Sequence, residues 1–226
     1  MKSRIIMLFV VIGIFVSQSA KAQFFVEYNL GYGTFNMADL KSLLSKDNTV
    51  EGLKTTNNFP GYFTHGIHAG FMKGRSSFGI NLGYQNTGGQ RALEDYSGEY
   101  KYQIRAKGYK TALFYRYRLS KADKLSLFAE VAPGAIFNDV NMKSSLYLTA
   151  SEQSKKDEAN LKGINIFVEP ALVARYQINK MYLQLHAGYQ WSPIKPKLNY
   201  NGNKTTVNAD WDGLRISLDF VVTLQK

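Results

Sequence analysis

Apolar and polar residues alternate along most of this chain. The pattern is cleanest near the C-terminus, where Leu214, Ile216, Leu218, Phe220, Val222 and Leu224 share one parity. Arg215, Ser217, Asp219, Val221 and Thr223 hold the other. A period of two residues sends successive side chains to opposite faces of a strand, so this segment has one apolar and one mainly polar face. Upstream, Ile164, Ile166, Val168, Leu172, Tyr176 and Ile178 oppose Asn165, Glu169, Arg175 and Gln177, with Phe167, Ala171 and Val173 mixed in. Segment 181–191 repeats the theme, with Tyr182, Gln184, His186, Gly188 and Gln190 on the second face. Five earlier segments, near 24–33, 63–71, 78–85, 109–119 and 125–137, follow suit, and their second parity carries Glu27, Lys110, Arg116, Arg118 and Glu130. That makes eight segments of about ten residues, the length at which a tilted strand crosses a bilayer.

The connections alternate as well. Residues 73–76, 120–124 and the Asn179, Lys180 pair are the tight turns of hairpins. Longer polar stretches near 38–60, 86–100, 139–162 and 193–212 fall between them and read as loops. Short turns at one end and long loops at the other are the mark of a membrane barrel. The fold expected is therefore all-β: an eight-stranded antiparallel up-and-down transmembrane β-barrel with short periplasmic turns and long extracellular loops. A soluble barrel would also alternate, but with the apolar side inward. The glycines of the polar face suit a narrow interior. Tyr28, Tyr32, Tyr84, Tyr115, Tyr117, Tyr176, Tyr189 and Trp191 lie towards strand ends on the apolar face, as an interfacial girdle would. Leu40, Leu43 and Leu44 at helical spacing predict a short helix within 38–47.

The N-terminus reads as an export signal over residues 1–22. Lys2 and Arg4 precede an apolar run at 5–16, and Ala20, Lys21 and Ala22 supply a small-x-small cleavage pattern. The run is too short for a membrane helix, which needs about 20 residues. The barrel domain then spans 23–226, and loss of Lys2, Arg4 and Lys21 takes the formal charge from +11 to +8. No cysteine occurs in the chain, which excludes a disulfide framework, a thiolate nucleophile and a lipid-anchored cleavage site. Neither a metal site nor a bound cofactor is expected.

The Ala-x-Ala signal, the amphipathic strands, a strand ending the chain and the pairs Gly31 and Tyr32, Gly83 and Tyr84, Gly188 and Tyr189 resemble the PorT-like outer-membrane β-barrel family of Bacteroidetes. In architecture the chain is also similar to the OmpX and OmpA barrels. The resemblance implies a Gram-negative outer membrane and the barrel fold, contact with lipid and lipopolysaccharide, insertion by the barrel assembly machinery, and an accessory role in secretion as one use. Many such barrels finish on an aromatic residue, whereas this chain ends Leu224, Gln225, Lys226 with Phe220 the nearest aromatic.

Chemistry is sought in the lumen and the loops. The inward parity carries Glu27, Lys110, Arg116, Arg118, Glu130, Glu169, Arg175, Arg215 and Asp219, a near balance of signs. An eight-stranded barrel has an interior just wide enough to be filled by side chains, so these charges are expected to form a network closing it, with Arg116 to Glu130 and Arg175 to Glu169 as pairs. His65, His68 and His186 lack a local partner set for nucleophilic catalysis, and no catalytic site is nominated. The leading expectation is a closed-lumen surface protein, not an enzyme, that works through its extracellular loops in surface interaction or envelope and secretion support. It would meet an extracellular or periplasmic protein partner. A narrow channel for ions or small solutes is the first alternative, and an outer-membrane lipid hydrolase the second. Export removes the chain from nucleic acid.

Overall fold

The structure is a computed structural model describing residues 22–46, 53–96, 98–149, 153–179 and 181–224. The signal segment, Ala22 apart, lies outside the described residues, as do Gln225 and Lys226. Strand β1 (Gln23–Gly33) leads to helix α1 (Ala38–Lys46) and the short β2 (Lys54–Asn58). Six long strands follow: β3 (Tyr62–Lys73), β4 (Ser76–Asp95), β5 (Gly98–Ala122), β6 (Leu125–Leu148), β7 (Gln153–Ile178) and β8 (Met181–Ile194). The two-residue β9 (Asn199–Tyr200) and β10 (Asn203–Lys204) precede β11 (Gly213–Leu224).

Eight of these close a ring. Strands β1, β3 to β8 and β11 pair antiparallel with their chain neighbours, and β11 returns to β1 from Phe24↔Leu224 to Gly33↔Arg215. No edge remains at the level where the ring is complete. Each tight turn uses a residue with positive φ: Gly74 between β3 and β4, Asp123 between β5 and β6, and Asn179 after β7. Gly, Asp and Asn are the types that tolerate this conformation in two-residue hairpins. The three turns sit at the end where β1 begins and β11 stops, called the near end below. At one position the wall admits no side chain. A Cβ on Gly79 would stand 2.1 Å from the Ala69 carbonyl oxygen and 2.7 Å from Cα of Gly70, its partner across the β3–β4 pair.

The apolar parity faces outward. Phe63, Leu113 and Leu172 each leave about two-thirds of their surface bare (67%, 65% and 64%), while Glu27, Arg116 and Asp219 on the opposite parity are 0% exposed. A soluble barrel would have these faces exchanged. Two aromatic rings bound the apolar zone. Phe24, Phe71, Phe78, Tyr115 and Tyr117 lie towards the near end. Tyr32, Phe63, Tyr84, Tyr109, Tyr189 and Trp191 lie towards the far end. Tyr117 and Tyr109 are eight residues apart on β5, about 26 Å at ~3.3 Å per residue. At the ~35–45° tilt of such strands this is about 20 Å of height, most of the ~25 Å apolar band of membrane barrels.

Beyond the far ring the molecule departs from expectation. Residues 86–100 and 139–162 are not open loops: β4, β5, β6 and β7 run on for 20, 25, 24 and 26 residues as two tall hairpins. The polarity of the two faces inverts there. On β5 the outward residues change from Tyr117, Tyr115, Leu113 and Tyr109 to Lys107, Arg105, Gln103 and Lys101, while inward Ile104 and Ala106 become buried and apolar. Ile136 and Val140 on β6 and Leu161 on β7 continue this inner apolar face. A strand that swaps its greasy side midway loses its periodic signal, and so reads as loop in the sequence.

The inner face of the hairpins is covered rather than open. Helix α1, with Asp39 in its first turn and Lys46 in its last, buries Leu40 and Leu44 there beside Phe59. Those end charges suit the helix dipole. The far-end segment 207–212 returns over the mouth, and Asn36 N–H and Met37 N–H bond to the carbonyls of Asp212 and Asp210. At 153–161 β7 pairs with β6 alone among the described pairings, because on its other side β8 ends at the Ile166↔Ile194 level and β9 meets Lys162.

Candidate functional site

The lumen is built in layers, and its sequence origin is the second parity of each strand. At the near end comes an aromatic layer: Phe25, Phe114, Phe128 and Tyr182 from four strands. The Arg175 guanidinium sits over the rings of Phe128 (4.9 Å), Tyr182 (5.5 Å) and Phe25 (5.8 Å). Rings stacked on a guanidinium suit its weakly hydrated planar charge.

Arg116 is the hub of the next layer and is completely buried. Its Nε donates to Glu130 (2.6 Å), and its two terminal nitrogens donate to Glu27 (3.1 and 3.3 Å) and to Gln184 (3.0 Å). Gln184 accepts also from Arg175 Nε at 2.9 Å and donates to Asp219 at 2.8 Å. Asp219 accepts in addition from Asn29 (2.9 Å) and Ser217 (2.7 Å). Two imidazoles complete the ring of contacts: His68 Nδ1 lies 2.8 Å from Glu27, and His186 Nε2 lies 3.4 Å from Glu130. Seven strands contribute to this one cross-section, so the layer exists only when the barrel is closed. Burying a charge costs several kcal/mol unless it is paired and hydrogen-bonded, and here each carboxylate has at least two polar partners.

Above this, Lys110 donates to Glu169 at 2.7 Å. Arg215 turns to backbone, donating to the carbonyls of Trp211 (2.6 Å), Thr34 (2.7 Å) and Leu214 (2.9 Å). A polar cavity of about 40 Å³ separates the layers, lined by His68, Asn81, Gln85, His186 and Ser217 among others. This is room for about three waters, given the ~10–15 Å³ that one requires by this measure.

Trp211 stoppers the far mouth. It is fully buried, packs edge-on to Phe35 at 5.1 Å and donates from its indole nitrogen to Asn138 at 2.6 Å. Lys195 pins the same segment through Asp212 (2.6 Å) and Asp210 (2.9 Å). Partial burial alone would lower the Lys195 ammonium, and hydrogen bonds to the two carboxylates outweigh it and hold its pKa above the ordinary lysine value.

Of the nine lumen residues named from the sequence, Glu27, Arg116, Glu130, Arg175 and Asp219 meet in one network. Lys110 and Glu169 form a separate pair, and Arg215 holds the stopper. Arg118 stays at the near-end rim, half-buried. Arg175 does not pair with Glu169: its neighbours are Gln184 and Glu27, because Glu169 lies further up β7 and faces Lys110. Sequence reasoning missed Gln184 as a shared bridge and Trp211 as the stopper. The first carried a signal, its inward parity between Tyr182 and His186. The second lay in a stretch read as loop and carried none. His65, which breaks the apolar parity of β3, faces outward beside Tyr84 at 5.4 Å. Among the described residues no three acidic or histidine side chains group as a metal site, and no hydroxyl is bonded to either lumen imidazole.

No family model and no curated protein matches this chain. Among solved structures it is similar to Neisserial surface protein A, with 12% identity over 90% of this chain and 99% of that one and a TM-score of 0.40. It is similar to the outer membrane protein OprG of Pseudomonas aeruginosa, with 11% identity over 91% and 97% and a TM-score of 0.47. It is also similar to Ail, the attachment invasion locus protein of Yersinia pestis, with 12% identity over 90% and 97% and a TM-score of 0.31. At such identities and scores the likeness carries no activity across, and the barrel rests on its own closed ring of hydrogen-bonded strands.

Proposed function

We propose that this chain is an integral outer-membrane barrel with a closed lumen, acting through its extracellular hairpins and loops in surface interaction or envelope and secretion support. The observation that carries the reading is the lumen itself: among the described residues, a charge layer centred on Arg116, a cavity of about 40 Å³ and a buried tryptophan lie in series along the barrel axis. The bare apolar band between two aromatic rings supports the membrane assignment, and the export signal with the family resemblance favours the outer membrane of a Bacteroidetes cell. The near end is then periplasmic and the tall hairpins extracellular. Enzymatic activity is not part of the proposal, since the two acid–imidazole pairs lack a nucleophile beside them.

The test is single-channel recording on refolded residues 23–226 in a planar bilayer, after a heat-shifted gel band has shown the barrel formed. Electrical silence is the expected result. Steady openings from folded protein would overturn the closed-lumen reading and put a narrow channel in its place.

A further inference from the structure

The near-end mouth is a vestibule of about 250 Å³ below the aromatic layer, and its charge is one-sided. Arg175 forms the floor, Arg118 a wall, and Arg75, Lys121 and Lys124 the rim, against a single acid, Asp123. The turns hold this cluster in place: Arg118 N–H bonds to the Arg75 carbonyl at 2.8 Å and Gln177 N–H to the Lys124 carbonyl at 2.9 Å. Among the described residues none of the four wall and rim cations has an ion-pair partner. Gathering like charges around one mouth raises the local positive potential, which favours an anion there.

The floor supplies a second, independent observation. A guanidinium has five N–H donors. Arg175, only 4% exposed, gives one to Gln184 and one to the thioether of Met72, a weak acceptor. Its Nη2 has no hydrogen-bond partner, and the Glu27 carboxylate oxygen is 3.9 Å away. Buried polar atoms without a hydrogen-bond partner are rare; this one faces Glu27 at the edge of ion-pair distance, so the Arg175 charge is only partly offset beside a cationic chamber.

We propose that the periplasmic vestibule is a binding site for a phosphate group, seated on Arg118 over the positively charged floor that Arg175 provides and flanked by Arg75, Lys121 and Lys124. Forked guanidiniums with flanking ammonium groups suit a tetrahedral, multiply charged acceptor better than a single carboxylate. Phosphate can reach it from two sources. Phe24, Leu125, Ile178, Met181 and Leu224 mark the end of the apolar band at the level of this mouth, which places phospholipid headgroups of the inner leaflet at the same height; free phosphate of the periplasm is the other source. Only the orientation in the membrane is taken from the proposed function, and lumen closure plays no part.

The experiment uses refolded residues 23–226 in a phosphate-free maltoside detergent, with the heat-shifted band as the folding control. Binding is read by phosphorus NMR line broadening with inorganic phosphate in one arm and short-chain phosphatidylglycerol in the other, at matched ionic strength. Saturable binding in either arm, weakened about tenfold or more by R118Q/K121Q and unchanged by K155Q/K156Q at the opposite end, supports the site. The arm that binds identifies the source. Absence of binding in both arms, or binding that R118Q/K121Q leaves intact, overturns the proposal. Conductance recorded from the same preparation tests lumen closure separately, so one reading can fail without the other.

Discussion

Arg116 illustrates how much a single side chain can commit a barrel to one cross-section. It reaches acids on β1 and β6 and an amide on β8. Removing one partner of such a buried pair leaves an uncompensated charge, so Glu130→Gln is expected to destabilise the refolded barrel by about 3–5 kcal/mol. Replacing Arg116 with Met, Glu130 with Leu and Glu27 with Gln together removes the whole ion triad and is expected to restore most of that loss. Urea titrations in detergent, followed by the heat-shifted band, measure both. Lys195 gives a pH prediction at the same scale. Its folded-state pKa is raised, so its contribution is fully present below the unfolded lysine value of ~10.4 and is lost as pH rises through the folded value. Protection of segment 195–212 from protease is therefore expected to hold through neutral and mildly alkaline pH and to fail only at strongly alkaline pH; Lys195→Gln is expected to lose that protection already at neutral pH. At this scale the sequence was legible in charge and parity and illegible in partners. Parity places Arg175 and Glu169 on one face, but whether they touch depends on strand stagger, which no local pattern encodes.

At the scale of elements, the eight staves were readable because in the membrane zone one face meets lipid and the other a polar lumen. Where the two tall hairpins leave that zone, the apolar face turns inward, and periodicity measured across the switch averages away. Helix α1 was readable from Leu40, Leu43 and Leu44, but its function was not: its leucines cover the inner face of β4 and β5, a surface that the sequence reading did not contain. The stopper is likewise a product of two connections meeting. Trp211→Ala is expected to cost about 3–5 kcal/mol, as for other buried aromatics, and to raise proteolysis of 207–212. It should still leave the barrel electrically silent, because the Arg116 layer remains. Openings are expected only when R116A/E130A is combined with Trp211→Ala, and recordings from the three variants compare the two barriers directly.

For the whole molecule, orientation is the assertion most open to a direct check, and the absence of native cysteine makes the check clean. A cysteine placed at Lys155, in the tall β6–β7 hairpin and with a side chain 75% exposed, is expected to react with a membrane-impermeant maleimide on intact cells. One placed at Lys124, in a near-end turn, is expected to react only after the outer membrane is permeabilised. The reverse pattern would invert the topology. The fold follows from a repeating physical contrast between lipid and water, which is why one sequence sufficed to see it. What the hairpins meet outside the cell is set by surfaces that carry no such repeat.

The unpaired stretch of β7 at 153–161 bears on how these barrels live side by side. A bare strand edge raised above a crowded membrane is a template for the next molecule's strand, and row upon row could zip into fibrous sheets. This edge carries Lys155, Lys156, Asp157 and Glu158 in succession, all exposed. A neighbour that tried to add a strand there would have to order these charged side chains beside its own, two on each face of the sheet, which blunts the edge as a template. The same tall hairpin that extends the protein's reach outward thus carries, on the edge that rises past its neighbour, the kind of charged residues that guard exposed strand edges.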